Sequence, residues 1–591
     1  MILKAVNNIY KYSVISLASV AISIIVMISA ISTCYMESGM NELTFFTKDN
    51  LFLNVLALAL FIAALFCIKK IGWADKINDK LANQTTFKKT KNVLLAVITI
   101  IGLIWVLGTQ FVPGSDQMDV MYSAYKLRVQ NYNMLQPGGY LDMWGNQVGL
   151  TLIEYALASI VGDFNYLFVQ VLNVFGITLL YKKLVDIWNR FGASRLSQVC
   201  ILVCGIIFFP FIMYASFVYG TIWSVALALV AFDAMVRFFA DYRIRDAVAF
   251  IIAIAFAYQV KNNVLIMFIA MMIYGILQLL NKRQHVIKTA IVLVCTVLVF
   301  AAFNVAPKAI LTKMTGYTLE QGVSSWSFIA MGLQEDGSSP GWSNGYNYGL
   351  YRDNGYNTEA MEKLAKANID ESVAHYLDDK HAAFQFFSRK IASMWTEPTY
   401  QGFWINQIRL HRVTFPAWLD GVMSAKGYTV VANIFDYFLL FVFIGTILWL
   451  IFEDKNTFVT KSFFILCFVG GFIFHLFWEG KSQYSLTYVI MLIPCAIMGF
   501  GLLLNRSVKI GKFATGVCVA TMVLFVSVYL YDASNCLTRD TDTYKLYLQT
   551  WLPPANTESV LEINTMKAEK QGTEELNAYF RSLLENNGIS Y

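Results

Sequence analysis

Two carboxylates three residues apart, Asp116 and Asp119, stand in FVPGSDQMDVMY (residues 111–122), directly after an apolar run long enough to cross a bilayer. If SDQMDVMYSAYKL is helical, with Ser115 as N-cap and Pro113-Gly114 breaking the chain before it, both acids share one face. Two chemistries suit that placement. Either the acids solvate a helix start and complement its dipole, or one is a general base at a membrane rim, where partial loss of water raises its pKa.

A general base needs a partner that accepts charge elsewhere in the reaction, and three basic positions qualify. Lys261 sits in the short turn between two apolar runs, with Asn262 and Asn263 beside it. A lone ammonium there is costly unless it is paired, snorkels to the interface or functions. Snorkelling is the plain reading, contact with a bound anion the functional one. Arg389 and Lys390 lead into KIASMWTEPTY, where phosphate contact competes with anchoring to headgroups. Lys481 follows Trp478 and Glu479 in WEGKSQYSL. Glu479 either pairs with Lys481 and does nothing else, or touches substrate.

The segment GWSNGYNYGLYRDNGYN (341–357) is dense in Gly, Asn, Tyr and Trp. Rings such as Trp342 and Tyr346 stack on sugars and amides meet hydroxyls; equally, this is a glycine-rich turn with interfacial aromatics. His475 lies within an apolar run and is read as satisfying a neighbouring helix, while His285, His375, His381 and His411 are scattered without a ligand pattern. No metal or other cofactor is expected; Asp116 with Asp119 is the one place a divalent ion would fit. Nine cysteines form no metal or disulfide pattern, and only Cys34 and Cys536 are placed to meet an oxidising exterior.

The elements that position these groups are membrane helices. Of 591 residues, 57% are hydrophobic and only 14% charged, where soluble proteins carry roughly a quarter charged. The first apolar run, from Tyr10 to about Ile31, is too long for a signal peptide's apolar region. About thirteen spans are expected, near 10–33, 51–68, 93–112, 164–182, 197–218, 220–239, 246–260, 262–280, 288–306, 429–452, 459–478, 485–504 and 513–531. The fold class is therefore an all-α polytopic bundle.

Basic residues then set the sidedness. Lys69 to Lys91, Lys182 to Arg190, Arg237 to Arg245, Lys282 to Lys288, Lys455 with Lys461, and Arg506 to Lys512 all fall on one side if the N-terminus is cytoplasmic. The net charge of +6 is spread over these short loops, so it reports orientation and not nucleic-acid binding. NQVGLTLIEYALASIV (146–161) would invert everything downstream if it spanned, so it is expected to lie along or dip into the outer surface. The expected units are 1–92, two spans and a basic cytoplasmic loop; 93–306, a core with a first exterior loop at 113–163; 307–428, a large exterior loop with some helices; 429–531, the last spans; and 532–591, an exterior tail with an amphipathic helix. The expected location is the plasma membrane, with the site and the C-terminus outside.

An acid at the start of the first large exterior loop, then surface helices, then spans, resembles the GT-C superfamily of membrane glycosyltransferases. Within it the chain is most similar to the bacterial branch that uses polyprenyl-phosphate sugars, akin to protein O-mannosyltransferases and lipid A aminoarabinose transferases. The similarity rests on PGSDQMDV (113–120), NQVGL (146–150), YQVKNN (258–263), MGLQEDGSSPGWSNGYN (331–347), KIASMWTEPTY (390–400) and WEGKSQYSL (478–486), in that order over roughly residues 93 to 500. The resemblance implies that Asp116 is the catalytic acid and that Asp119 shares its role or holds an acceptor. It implies that Lys261, Arg389 and Lys481 bind the donor phosphate, and that Asn146, Gln147, Trp342, Tyr346, Glu479 and Tyr484 contact substrate. In related branches a basic residue precedes the tyrosine that here is Tyr484; Gln483 stands there instead, so either Lys481 substitutes or the contact is absent. The family begins at the span before Asp116, so spans one and two look like an addition of unassigned purpose. The implied partners are a polyprenyl-phosphate sugar, a cell-surface glycan or glycopolymer, and the bilayer. A lipid-linked oligosaccharide flippase and a glycan polymerase or ligase are the competing classes.

Overall fold

The computed structural model describes residues 2–37, 42–281, 283–336, 338–407, 411, 413, 415–454, 457–505, 510–532 and 537. The amphipathic helix expected in the tail, Cys536, and the basic residues Lys282, Lys455, Arg506 and Lys509 lie outside them.

The first unit is α1 (Ile2–Ile31), a hairpin of β1 (Ser32–Met36) and β2 (Thr44–Lys48), α2 (Leu51–Lys70) and the short α3 (Trp73–Ala82). Next come α4 (Gln84–Thr109), α5 (Asp116–Arg128), α6 (Tyr140–Met143), α7 (Val148–Val161), α8 (Tyr166–Arg190), α9 (Arg195–Ile207) and α10 (Phe209–Met213). Then follow α11 (Thr221–Asp241), α12 (Ile244–Val260), α13 (Val264–Asn281) and α14 (Val286–Thr315). The large loop carries α15 (Ser325–Gly332), α16 (Tyr346–Asp353), α17 (Thr358–Asp378), α18 (Lys380–Trp395), α19 (Trp404–Gln407) and α20 (Ala417–Met423). The chain closes with α21 (Ala425–Phe452), α22 (Phe458–Lys461), α23 (Phe463–Phe477), α24 (Ser482–Leu503) and α25 (Lys512–Asp532).

Among the described residues ten helices are long and apolar enough to cross a membrane: α1, α2, α4, α8, α11, α13, α14, α21, α24 and α25. The chain is a polytopic, almost wholly helical membrane protein. The other three expected runs fall on α9 with α10, bent by 61°, on α12 of 17 residues, and on α23 of 15. The bend has a local cause. Pro210 opens α10, lacks an amide hydrogen and cannot continue the ladder of α9. Helix α7, with 14 residues, is not among the ten.

The short loop expected near residues 34–50 carries a small hairpin on the otherwise helical bundle. STCYM and TFFTK, rich in β-branched and aromatic residues, pair antiparallel with Cys34 opposite Phe46. Cys34 is buried in this hairpin.

Packing follows side-chain size. A Cβ on Gly499 would stand 1.9 Å from the Gly445 carbonyl, so only glycine lets α21 and α24 cross this closely. Several basic residues pair with acids at the ends of α8, α11 and α12 away from Thr221 and Lys261. There Asp233, 1% exposed, takes Lys183 at 2.6 Å, Arg190 at 2.8 Å and Arg237 at 2.5 Å. Arg237 also reaches Asp246 at 2.6 Å, and Lys91 reaches Asp186 at 2.7 Å. A carboxylate that deep needs such partners, because an unpaired buried charge is strongly unfavourable.

The irregular stretch after α10 is repaired by carboxamides from neighbouring helices. Asn173 donates to the carbonyls of Ala215 and Phe217, each at 3.1 Å. Gln170 donates to Phe111 at 2.8 Å and Ser216 at 3.2 Å. The amide of Val218 donates to the Gln117 side chain at 2.9 Å. Non-helical backbone at this depth is tolerated only where protein satisfies it.

Candidate active site

Asp116 is the first residue of α5. Between α4 and α5 the chain leaves helical geometry, and Ser115 takes φ 50° and ψ −143°, unusual for a residue with a Cβ. Ser115 occupies the N-cap position, but its side chain makes no capping bond; its carbonyl accepts from Met118 at 2.8 Å and Asp119 at 3.1 Å. The Gln117 bond to Val218 ties the start of α5 to the turn that carries Tyr219. The Tyr219 hydroxyl lies within hydrogen-bonding reach of the Asp116 carboxylate and of the Tyr140 hydroxyl. Tyr140 in turn is 3.5 Å from the Asp116 carbonyl. Burial and the nearby charge of Asp116 push both phenols above their ordinary range, so they act as hydroxyl donors. Asp116 itself is exposed, while Asp119 is half-buried and acts electrostatically on Tyr140.

Lys261 comes from the turn between α12 and α13. Gly220 makes its approach feasible: φ is +74°, and a Cβ there would lie 2.5 Å from the Val260 carbonyl. Because the two turns touch, the Lys261 ammonium donates to the Thr221 hydroxyl at 2.9 Å. It also lies 4.5 Å from the centre of the Tyr219 ring and 5.7 Å from that of Phe217. Burial pushes Lys261 down to about 7, opposed by the charges of Asp116 and Glu479 and aided by Lys481. The sequence-remote acid and base are therefore neighbours.

The third contribution is the turn between α23 and α24. The Gly480 amide donates to the Gly341 carbonyl at 2.7 Å, docking the large loop on this turn. Lys481 meets Glu42, from the N-terminal unit, at 2.7 Å and Glu479 at 3.7 Å. Burial pushes Lys481 down, but these two carboxylates outweigh it and hold the ammonium above its ordinary range. The Glu479 carboxyl is raised by burial, with Lys481 opposing and Glu42 and Asp116 adding to the rise. The Tyr484 hydroxyl donates to Glu479 at 3.4 Å, and its ring stacks on His475 at 5.3 Å between centres. His475 is buried, and its Nδ1 lies 3.1 Å from the Glu479 carbonyl.

Asp116, Lys261, Glu479, Lys481 and Tyr484 thus share one site. Arg389, Trp342 and Tyr346 do different work. Arg389 pairs with Glu335 on the large loop. Its neighbour Lys390 is the buried member, donating to the carbonyls of Gly332 at 2.5 Å and Trp478 at 2.8 Å. Burial pushes Lys390 down to about 7, with Glu479 opposing. Trp342 is fully buried, and its indole donates to Ser393 at 3.0 Å; it is a core residue of the loop and offers no face to a sugar. The Tyr346 hydroxyl accepts from Asn368 at 2.8 Å, between α16 and α17. Asn146 is exposed and Gln147 half-buried at the start of α7.

A small cleft opens beside Lys261. Its mouth is polar, with Thr221, Asn263, Gln483 and Thr487 beside Lys261 and Tyr484. One turn further along α11, α13 and α24 it is lined by Ser224, Val225, Met267 and Tyr488, so it sits between three spans with a mixed polar and apolar wall. An ammonium beside such a cleft suits an amphiphile with an anionic head. Sequence reading did not single out Tyr140, Tyr219, Thr221 or Glu42. The first three carried no signal beyond ordinary interfacial aromatics and hydroxyls; Glu42 is an acid in a short loop between two apolar runs, which was the available cue.

Comparisons with protein-family models, with curated proteins and with solved structures find no match to this chain.

Proposed function

We propose that this protein is an inverting glycosyltransferase that moves a sugar from a polyprenyl-phosphate donor to a cell-surface glycan or glycopolymer. The observation that carries the reading is the convergence of Asp116 and Lys261 beside a cleft between three spans. The Asp116 carboxylate takes the proton of an acceptor hydroxyl, whose oxygen forms a bond to the anomeric carbon. The bond from that carbon to the phosphate oxygen breaks on the opposite face, and the electron pair leaves with the lipid phosphate. Lys261 faces the growing negative charge, which is where a fixed cation accelerates such a step. The exposure of Asp116 suits an acceptor arriving from the aqueous side, and the place of the cleft between spans suits a polyprenyl chain.

The finer membrane arrangement belongs to the same proposal. The bent α9–α10 pair, α12 and α23 complete thirteen spans; the rim carrying Asp116 faces the exterior of the plasma membrane, with the large loop over it and the N-terminus cytoplasmic. The paired basic residues at the far ends of the helices support that orientation by the excess of lysine and arginine on cytoplasmic loops. A flippase is disfavoured because the cluster of charges lies at one rim and not near the midplane.

The test is Asp116→Asn in cells whose surface polymers are analysed by mass spectrometry. Modification is expected to vanish while protein level and membrane insertion stay normal; modification at the parental rate overturns the base assignment. Loss of precursor translocation, with transfer intact, would assign the protein to transport.

A further inference from the structure

The two-span unit before α4 looked like an addition without a role, yet it supplies a side chain to the site. Its hairpin is fixed from several directions. The Met36 amide donates to the Tyr428 hydroxyl at 3.0 Å, and the Tyr35 hydroxyl donates to Asn433 at 3.0 Å. The Thr44 and Ser339 hydroxyls lie 2.8 Å apart, and the Ser339 amide donates to the Glu42 carbonyl at 3.2 Å. Glu42 is therefore held by backbone and neighbours where its Oε1 meets Lys481 at 2.7 Å. Its second oxygen, Oε2, is buried with no hydrogen-bond partner.

That arrangement sets three carboxylates, Asp116, Glu479 and Glu42, around Lys261 and Lys481, with the Lys390 ammonium also acting on Glu479 while bonded to backbone carbonyls. An anion entering at Lys261 meets a neighbouring lysine already occupied by two acids. We infer that Glu42 is a resident counter-ion of Lys481, which competes with lipid phosphate for the positive charge of the site and so promotes departure of the spent carrier. The inference rests on the lipid-phosphate reading above and adds its regulation. Charge explains the direction. The donor is a phosphodiester with one negative charge, whereas the product is a phosphomonoester whose second ionisation lies near pH 6. A fixed carboxylate beside the site repels the dianion about twice as strongly as the monoanion. Glu42 thus biases the site toward donor and against product.

The experiment uses the full-length protein in nanodiscs at pH 7, where the monoester is mostly a dianion, with two labelled probes, undecaprenyl monophosphate and its methyl phosphodiester. Glu42→Gln keeps the shape and removes the charge. It is expected to bind the monophosphate about tenfold tighter, with slower dissociation, and the diester by a smaller factor. Glu42→Asp, whose shorter reach loosens the grip on Lys481, gives an intermediate gain and serves if the Gln variant is poorly folded. Monophosphate affinity equal to or weaker than wild type in both variants overturns the counter-ion role while leaving the lipid-phosphate reading intact. Wild-type protein that binds neither probe sinks that reading and this inference with it.

Discussion

Lys261 makes the sharpest quantitative prediction. An ordinary lysine stays charged throughout the range from pH 6 to 9, but burial pushes this one down to about 7. Its ammonium fraction then falls from about 90% at pH 6 to about 10% at pH 8 and about 1% at pH 9. Only the protonated form attracts phosphate, so affinity is full below the shifted value and is lost as pH rises through it. Apparent affinity scales with the competent fraction, which gives about tenfold loss per pH unit above 7. The probe should carry a charge that does not titrate in this window, hence a polyprenyl phosphodiester. Equilibrium binding across pH 6 to 9 should show that slope in the wild type. Lys261→Arg should show a flat profile, because guanidinium stays protonated. Lys261→Met should lose about 10- to 100-fold at pH 6, as expected for removal of a charge-assisted hydrogen bond of about 1.5–3 kcal/mol. A flat wild-type profile, or the same slope in the Arg variant, refutes the assignment of Lys261 as the phosphate contact.

Two further predictions concern stability and the corrected roles. Glu154 on α7 is buried, and burial raises its carboxyl to about 7 from 4.5. The folded state therefore binds the extra proton between those values, so its contribution to stability is greatest below pH 4.5 and falls as pH rises through 7. Glu154→Gln should flatten that dependence in thermal unfolding and gain roughly 3 kcal/mol or less at pH 8; an unchanged profile counts against the burial. Trp342→Phe should cost about 1 kcal/mol through the lost bond to Ser393 and leave probe affinity unchanged; weakened sugar use with stability intact would restore Trp342 as a substrate contact.

The bundle was legible because apolar runs of membrane length have few competing explanations. The same economy drew out the candidate residues: an acid or lysine at the end of such a run is costly enough to stand out, and Asp116, Lys261, Glu479 and Lys481 lie close enough to act on one another. What stayed hidden depends on the third dimension. Pro210 signalled a bend within one apolar run, but not that Asn173 and Gln170 would satisfy the freed carbonyls. STCYM and TFFTK hold β-branched and aromatic residues but no alternation, so the hairpin, which needs residues on both sides of a turn to pair, was not legible. Trp342 misled for a physical reason. Its glycine-flanked loop allows close packing, so an indole that composition places at an interface turns inward to Ser393. Arg389 and Lys390 shared one expected role, yet a single residue step along α18 separates an ion pair with Glu335 from a buried ammonium facing carbonyls.

The carboxamides that repair the broken span carry a last implication. Helix α8 contributes no side chain to the candidate site, yet Asn173 and Gln170 hold the backbone of the segment that leads to Tyr219. Rotating α8 by a single residue would withdraw both donors at once, leaving the carbonyls of Phe111, Ala215, Ser216 and Phe217 without them. The helix behaves as a keyed shaft: its register decides whether the unwound stretch between α10 and α11 keeps its backbone partners.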